Sequence, residues 1–188
     1  MAVCYNVLGN SQQNREGRMN MYQIGNKVIY GIHGVCVVAD LEKRRVDGKQ
    51  VVYLALEPAG QSGSRFLVPT HNAAAMAKVR PVLSREELEA LLSSEAIRED
   101  AWIRDEGQRK QLYRELISSC DRQRLAQMIC CLYRYRATLS AAGKKFHMCD
   151  ENFLRDAEKI LAGEIASTLD IPSTEAIKYL RSKLKEDA

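Results

Sequence analysis

Two kinds of hydrophobic pattern follow one another along this chain of 188 residues. Up to about residue 80, short apolar runs rich in β-branched residues alternate with turn signals, which indicates strands. The predicted strands are Lys27–Tyr30, Gly34–Ala39, Val51–Leu56 and Arg65–Val68. Asp47-Gly48 predicts a tight hairpin, because glycine accepts the positive φ that such turns require. Since no crossover helix fits between these runs, we predict a small antiparallel β barrel.

After Pro81 the apolar positions recur at the period of amphipathic helices. The predicted helices begin at Ser84, residue 107, Asp121, Asp150 and Pro172. The first carries a capping box of Ser84 and Glu87 and should end near Ser93. This half is therefore predicted to be an all-α helical bundle.

These patterns divide the chain into three parts. Residues 1–20 are largely polar and show neither period, so we expect a flexible amino-terminal extension. Residues 21–83 form the predicted β domain and residues 84–188 the helical domain, with the boundary near Pro81. The predicted fold class is α+β in two domains.

The charge of the chain is informative about function only through its distribution along the sequence. The net charge of +4 is too small to identify a nucleic-acid-binding protein. Residues 21–83 and 98–146 are net basic, whereas residues 84–97 and 147–188 are net acidic. The basic charge is therefore concentrated in two blocks.

Several classes of protein are disfavoured. No apolar run approaches the roughly 18 residues that a membrane helix needs, and the amino terminus lacks an export signal. The six cysteines have no disulfide-framework spacing, so we expect a reducing cytoplasm. His147 and the cysteines fit no common zinc motif, and we find neither a phosphate loop nor a catalytic triad. We therefore expect no cofactor, no metal and no enzymatic activity.

Six segments occur in a characteristic order, at residues 21–30, 33–35, 68–73, 102–104, 139–145 and 157–166. The first reads MYQIGNKVIY and the last AEKILAGEIA. Together they resemble the CarD-like family of bacterial RNA polymerase-binding transcription regulators, from residue 21 to about residue 184. Most members of that family have proline where this chain has Gly31.

The resemblance implies a Tudor-like amino-terminal domain that binds the β subunit of RNA polymerase, partly through an edge strand. Such docking is physically reasonable, since an unpaired strand edge offers donors and acceptors to an extended partner. Arg44 lies where family members use arginine at the polymerase surface. The family places a basic residue just before Val68-Pro69, where this chain has Leu67, with Arg65 as the nearest cation. The implied polymerase contacts are therefore Arg44, Arg65 and Leu67.

The resemblance also implies that the helical domain contacts promoter DNA at the upstream edge of the transcription bubble, with a tryptophan at the minor groove. Trp102 is the only tryptophan. An apolar wedge holds open an unstacked base step, while cations neutralise phosphates. The implied DNA contacts are Trp102, Arg98, Arg104, Arg109, Lys110, Lys144 and Lys145. Because Asp105 and Glu106 stand where relatives often have basic residues, we expect weak affinity that polymerase tethering supplements.

Each of these features also has a simpler interpretation. A lone tryptophan is often a core or lid residue, and runs such as Arg122–Arg124 or Arg134–Arg136 are usually solvated helix faces. Our leading hypothesis is a monomeric, non-enzymatic regulator that binds polymerase and stabilises the open complex. A protein-protein adaptor without DNA contact, with Trp102 in its core, is the alternative, and a small enzyme with an unrecognised site is a third.

Overall fold

A computed structural model of the chain describes residues 22–59, 63–99 and 101–185. The predicted extension, residues 1–20, lies outside them. The described residues divide into two compact units, of which one comprises residues 22–29 with 36–81 and the other residues 30–35 with 82–185. That residues 21–83 and 84–188 are separate domains stays a prediction.

The first unit is built on one five-stranded antiparallel sheet, and the helices that follow confirm the predicted α+β class. The strands are β1 (Lys27–Tyr30), β2 (Val35–Val46), β3 (Lys49–Pro58), β4 (Phe66–Pro69) and β5 (Val79–Pro81), with the short helix α1 (Ala73–Met76) before β5. Their spatial order is β4-β3-β2-β1-β5. Strands β4 and β5 therefore lie at the two ends of the series.

The hairpin between β2 and β3 confirms the predicted turn. Asp47 has φ 50° and Gly48 has φ 74°, and a two-residue type I′ turn requires positive φ at both positions. Strand β2 is longer than predicted and continues well past Ala39. A register shift between Val38 and Asp40 marks a bulge there. Such a bulge lets a strand bend while its pairing resumes.

Strand β5 was not predicted, because three residues are too few to show an alternating pattern. Its first residue, Val79, is buried, and the Val79 carbonyl accepts a 3.0 Å hydrogen bond from the hydroxyl of Tyr22. Tyr22 is also buried. This contact joins the beginning and the end of the first unit.

The second unit contains five longer helices. They are α2 (Arg85–Ser93), α3 (Glu106–Ser119), α4 (Arg122–Ala141), α5 (Met148–Leu169) and α6 (Ser173–Lys185). The capping box of Ser84 and Glu87 is present, and Asp121 caps α4 as predicted. The predicted start of α5 at Asp150 is wrong: His147 caps that helix, and Asp150 is buried. No helix in the described ranges is long and apolar enough to cross a membrane.

Two buried glutamates of α5 connect the helices through ion pairs. Glu158 accepts hydrogen bonds from Arg181 of α6 at 2.7 and 2.9 Å and from the hydroxyl of Tyr133 on α4. Glu164 accepts from Arg122 of α4 at 2.6 and 3.0 Å. Burial alone would raise the pKa of Glu158, but the hydrogen bonds from Arg181 and Tyr133 outweigh burial and lower it. The ionised carboxylate is therefore part of the folded state.

A depressed folded-state pKa makes the stability that Glu158 contributes dependent on pH. The contribution is complete above the pKa of an unfolded glutamate, about 4.3, and is lost as the pH falls through the lower folded value. We expect Glu158→Gln to lower the free energy of unfolding at about pH 7 by about 2 kcal/mol. This is less than the ~3–5 kcal/mol of a fully buried pair, because Arg181 is half-exposed.

Urea unfolding near pH 7 and near pH 3 tests this expectation. The difference between wild type and Glu158→Gln should shrink at the lower pH. Glu151→Gln is the matched control, since Glu151 is exposed on the same helix and should change little. An equal loss at both pH values would contradict the assignment.

Candidate functional site

Trp102 lies in the segment before α3 and packs, partly buried, against the helical core. Its indole stacks on Tyr135 of α4, with ring centroids 3.4 Å apart and planes inclined by 13°. The guanidinium carbon of Arg109 on α3 lies 4.3 Å from the indole centroid. One face of the indole cannot accommodate both groups at these distances. The ring therefore lies between the tyrosine and the cation.

Arg109 is buried, and its donors point into the protein. Its Nε and Nη2 donate to the two carboxylate oxygens of Asp150 at 2.9 and 3.1 Å, and its Nη1 donates to the carbonyl of Ile103 at 2.8 Å. Burial alone would lower the pKa of the Arg109 guanidinium, but the hydrogen bonds and charge of Asp150 outweigh it and raise the pKa. Arg109, which was predicted to contact phosphate, thus directs its donors to partners inside the protein.

The aromatic contacts continue beyond Trp102. Tyr135 and Phe146 have ring centroids 6.5 Å apart, with planes inclined by 58°. The guanidinium of Arg136 lies 5.9 Å from the centroid of Phe146. We call Trp102, Tyr135 and Phe146 the aromatic row. It joins the segment before α3 to the loop after α4.

Three of the predicted DNA contacts lie at the ends of the aromatic row. Arg104 follows Trp102 closely in the chain, and Lys144 with Lys145 directly precedes Phe146. All three cations are exposed. The structure therefore places Phe146, which directly follows the lysine pair, in the same aromatic row as Trp102.

The other two predicted DNA contacts are more constrained. Lys110 forms an ion pair with Glu106 one turn earlier in α3, and this hydrogen bond raises the pKa of Lys110. Arg98 is partly buried and donates to a backbone carbonyl at 3.0 Å. Asp105 caps α3 by accepting from the backbone N–H of Gln108 at 2.7 Å. The acidic residues that depart from the family pattern thus have local structural partners.

Sequence reasoning missed two members of the aromatic row, Tyr135 and Phe146. The apolar period of α4 identified Tyr133 as inward-facing and left Tyr135 unassigned. The available signal was the adjacency of an aromatic residue to Lys145, since basic residues next to aromatics are typical of nucleic-acid surfaces.

The predicted polymerase contacts lie on the sheet. Arg44 of β2 donates to Glu42 through Nε and Nη2 at 3.0 and 2.7 Å. Arg65, just before β4, lies 2.9 Å from the other carboxylate oxygen of Glu42. Leu67 lies on β4, where it pairs with Ala55 of β3. Two of the three predicted residues therefore meet at one carboxylate.

Strand β4 is short and lies at one end of the sheet. It pairs with β3 only from Tyr53 to Leu56, although β3 begins at Lys49. The strand at the end of a sheet presents backbone groups to which an extended partner can add. Fold and surface thus define a class: a β-sheet interaction module followed by a helical unit.

The particular family follows from comparison with known families. Residues 22–82 match the CarD-like/TRCF RID domain, which confirms the predicted recognition. This part of the chain is thus a CarD-like/TRCF RID domain, which supports a CarD-like family member. It is an RNA polymerase-interacting, transcription-related protein, and the matched domain is a non-enzymatic interaction domain.

Gly31 marks a departure from the family pattern that the structure explains. Its φ is +47°, in the 3-10 turn Gly31–His33 after β1. Proline is locked near −65° and cannot adopt this conformation. The turn therefore has a shape that the proline of most family members would exclude.

Most of the cysteines in the described ranges are buried in the structure. None of the five described cysteines forms a disulfide, and four of them are buried. Burial raises the pKa of the Cys36 thiol, which lowers its reactivity. No group of three or more His, Cys, Asp and Glu side chains in those ranges could hold a metal ion.

The buried pair of Arg109 and Asp150 should be the most sensitive part of the site. We expect Asp150→Asn to lower the free energy of unfolding by about 3 kcal/mol, because it leaves a buried guanidinium without its counter-charge. Asp156→Asn, at an exposed position of the same helix, is the matched control. Urea unfolding measures both, and equal losses in the two variants would refute a special role for the pair.

Proposed function

We propose that this protein works in the bacterial cytoplasm as a transcription regulator that binds the β subunit of RNA polymerase through β4 and the arginines beside it. Its helical unit then stabilises the promoter open complex by contacting the minor groove at the upstream edge of the bubble. The observation that carries the proposal is the polymerase-interacting domain at residues 22–82. The regulator changes an equilibrium and performs no chemistry.

The geometry of the sheet supports polymerase docking at β4. Glu42 holds Arg44 and Arg65 within reach of one carboxylate, beside the strand that ends the sheet. The side chains of Arg44 and Arg65 are 53% and 43% exposed, whereas Glu42 is only 18% exposed. The carboxylate therefore holds both arginines in place while their exposed parts stay accessible to an acidic group of the partner.

Charge reversal tests the docking surface. We expect Arg44→Glu combined with Arg65→Glu to weaken binding to core RNA polymerase roughly tenfold or more, since two favourable charge contacts become repulsive. Surface plasmon resonance with the full-length chain measures this. Lys78→Glu is the control, because Lys78 is exposed and precedes β5, at the other end of the sheet order. Equal affinity of the double variant and the wild type would exclude this surface.

The helical unit supports DNA contact through a partly exposed indole flanked by exposed cations. Arg104, Lys144 and Lys145 carry the electrostatic part of the proposal, and Arg109 is assigned an internal role. An open complex favoured by about 1.4 kcal/mol is populated tenfold more. A few contacts of ordinary strength are therefore enough to raise the population of the open complex tenfold.

Trp102→Ala tests the wedge. We expect the lifetime of the open complex to fall about tenfold, because the base step that the indole holds open closes again. Polymerase affinity should stay unchanged. Replacing Lys144 and Lys145 by alanine should reduce the salt dependence of DNA binding by about one phosphate contact per lysine. An unchanged lifetime with Trp102→Ala would reject the wedge and leave polymerase docking standing.

A protein-protein adaptor is the second candidate. The observation that favours it is the packing of Trp102 between Tyr135 and Arg109, as expected of a structural tryptophan. If the protein is only an adaptor, it should show no salt-dependent binding to forked DNA in the presence of polymerase. That measurement separates the two functions.

A further inference from the structure

We propose that Tyr135 and Arg109 are positioning residues for Trp102, which hold the indole by its two faces so that its edge alone is offered to DNA. This inference rests on the proposed DNA contact. It concerns two residues that do not themselves touch DNA.

Both faces of the Trp102 indole are covered. A ring stacked at 3.4 Å on Tyr135 and covered by a guanidinium at 4.3 Å has no open face for a base. Bases stack on aromatic rings only through a free face. A contact made by Trp102 in this conformation is therefore a contact of the ring edge against a base step.

The backbone of the same segment is held by the same cation. The guanidinium that covers the indole also donates to the carbonyl of Ile103, the next residue. The bidentate bond to Asp150 fixes the guanidinium itself. Ring and backbone at Trp102 are thus held by one buried cation, which is anchored in turn on α5.

The fixed position of Trp102 lowers the entropic cost of its contact with DNA. A side chain that is ordered before binding loses less conformational entropy on binding than a mobile one. This matters where the DNA contact is weak, because the ordering of a free indole would offset much of the gain. Tyr135 and Arg109 supply that order in advance.

Intrinsic fluorescence can test the arrangement, because Trp102 is the only tryptophan in the chain. The test variant is Tyr135→Leu, which removes the ring, and Tyr135→Phe is the conservative variant, which keeps it. Tyr179→Leu is the matched control, since Tyr179 is a partly buried tyrosine of the same unit that contacts Glu89 and Lys183 instead. Each full-length variant is first checked for folding by circular dichroism.

Two readouts are needed. Acrylamide quenching of Trp102 should increase in Tyr135→Leu and stay at the wild-type value in Tyr135→Phe and Tyr179→Leu. Among the three tyrosine variants, the open-complex lifetime with polymerase should fall only in Tyr135→Leu, by roughly three- to tenfold, the effect expected from the loss of one aromatic pair. Arg109→Lys, which keeps the charge and loses the planar fork, should also increase quenching.

The outcomes separate this inference from the proposed function. Unchanged quenching in Tyr135→Leu would overturn the positioning role. Increased quenching with an unchanged lifetime would also overturn it, provided that Trp102→Ala still shortens the lifetime. If Trp102→Ala itself has no effect on the lifetime, the proposed DNA contact fails, and positioning for DNA fails with it.

Discussion

The ion pair between Arg109 and Asp150 is the interaction on which the candidate site of the helical unit depends. It joins α3 to α5, binds the backbone at Ile103 and places a cation on Trp102. A buried pair is stable only when both charges have full hydrogen-bonding partners, and the bidentate geometry supplies them. The position of Trp102 therefore follows from core packing between helices, and the preferences of its own segment matter less.

Local signals were sufficient for much of the fold. The turn at Asp47-Gly48 and the helix cap at Asp121 each depend on groups within a few residues, so the sequence displays them directly. Strand β5 lacks such a signal, because three residues are too few to show an alternating pattern. At Asp150 a local signal was present but misleading. A carboxylate near a helix start has the pattern of a cap, but this carboxylate is bound by Arg109, which is distant in the sequence.

The exposed residues of the candidate site could be proposed from the sequence, whereas the internal contacts could not. Trp102 and the lysines before Phe146 were proposed as DNA contacts through a family resemblance that depends on residue types in order, and this stays a prediction. Tyr135 was missed, because its role depends on which side of α4 meets the segment before α3. Arg109 was interpreted as a surface cation for the same reason. A sequence shows that a cation is present, and only tertiary packing shows where its donors point.

Under the proposed function, edge docking and a fixed indole address the same energetic problem, which is that each contact by itself is weak. A short strand edge and two exposed arginines form a small surface, and so do one indole edge and a few lysines, so neither contact alone is strong. Under that proposal, attachment to polymerase makes the DNA contact intramolecular and raises its effective concentration. Ordering the indole in advance removes an entropic cost that tethering cannot remove. Because tethering and preorganisation act on different terms of the binding free energy, their effects add.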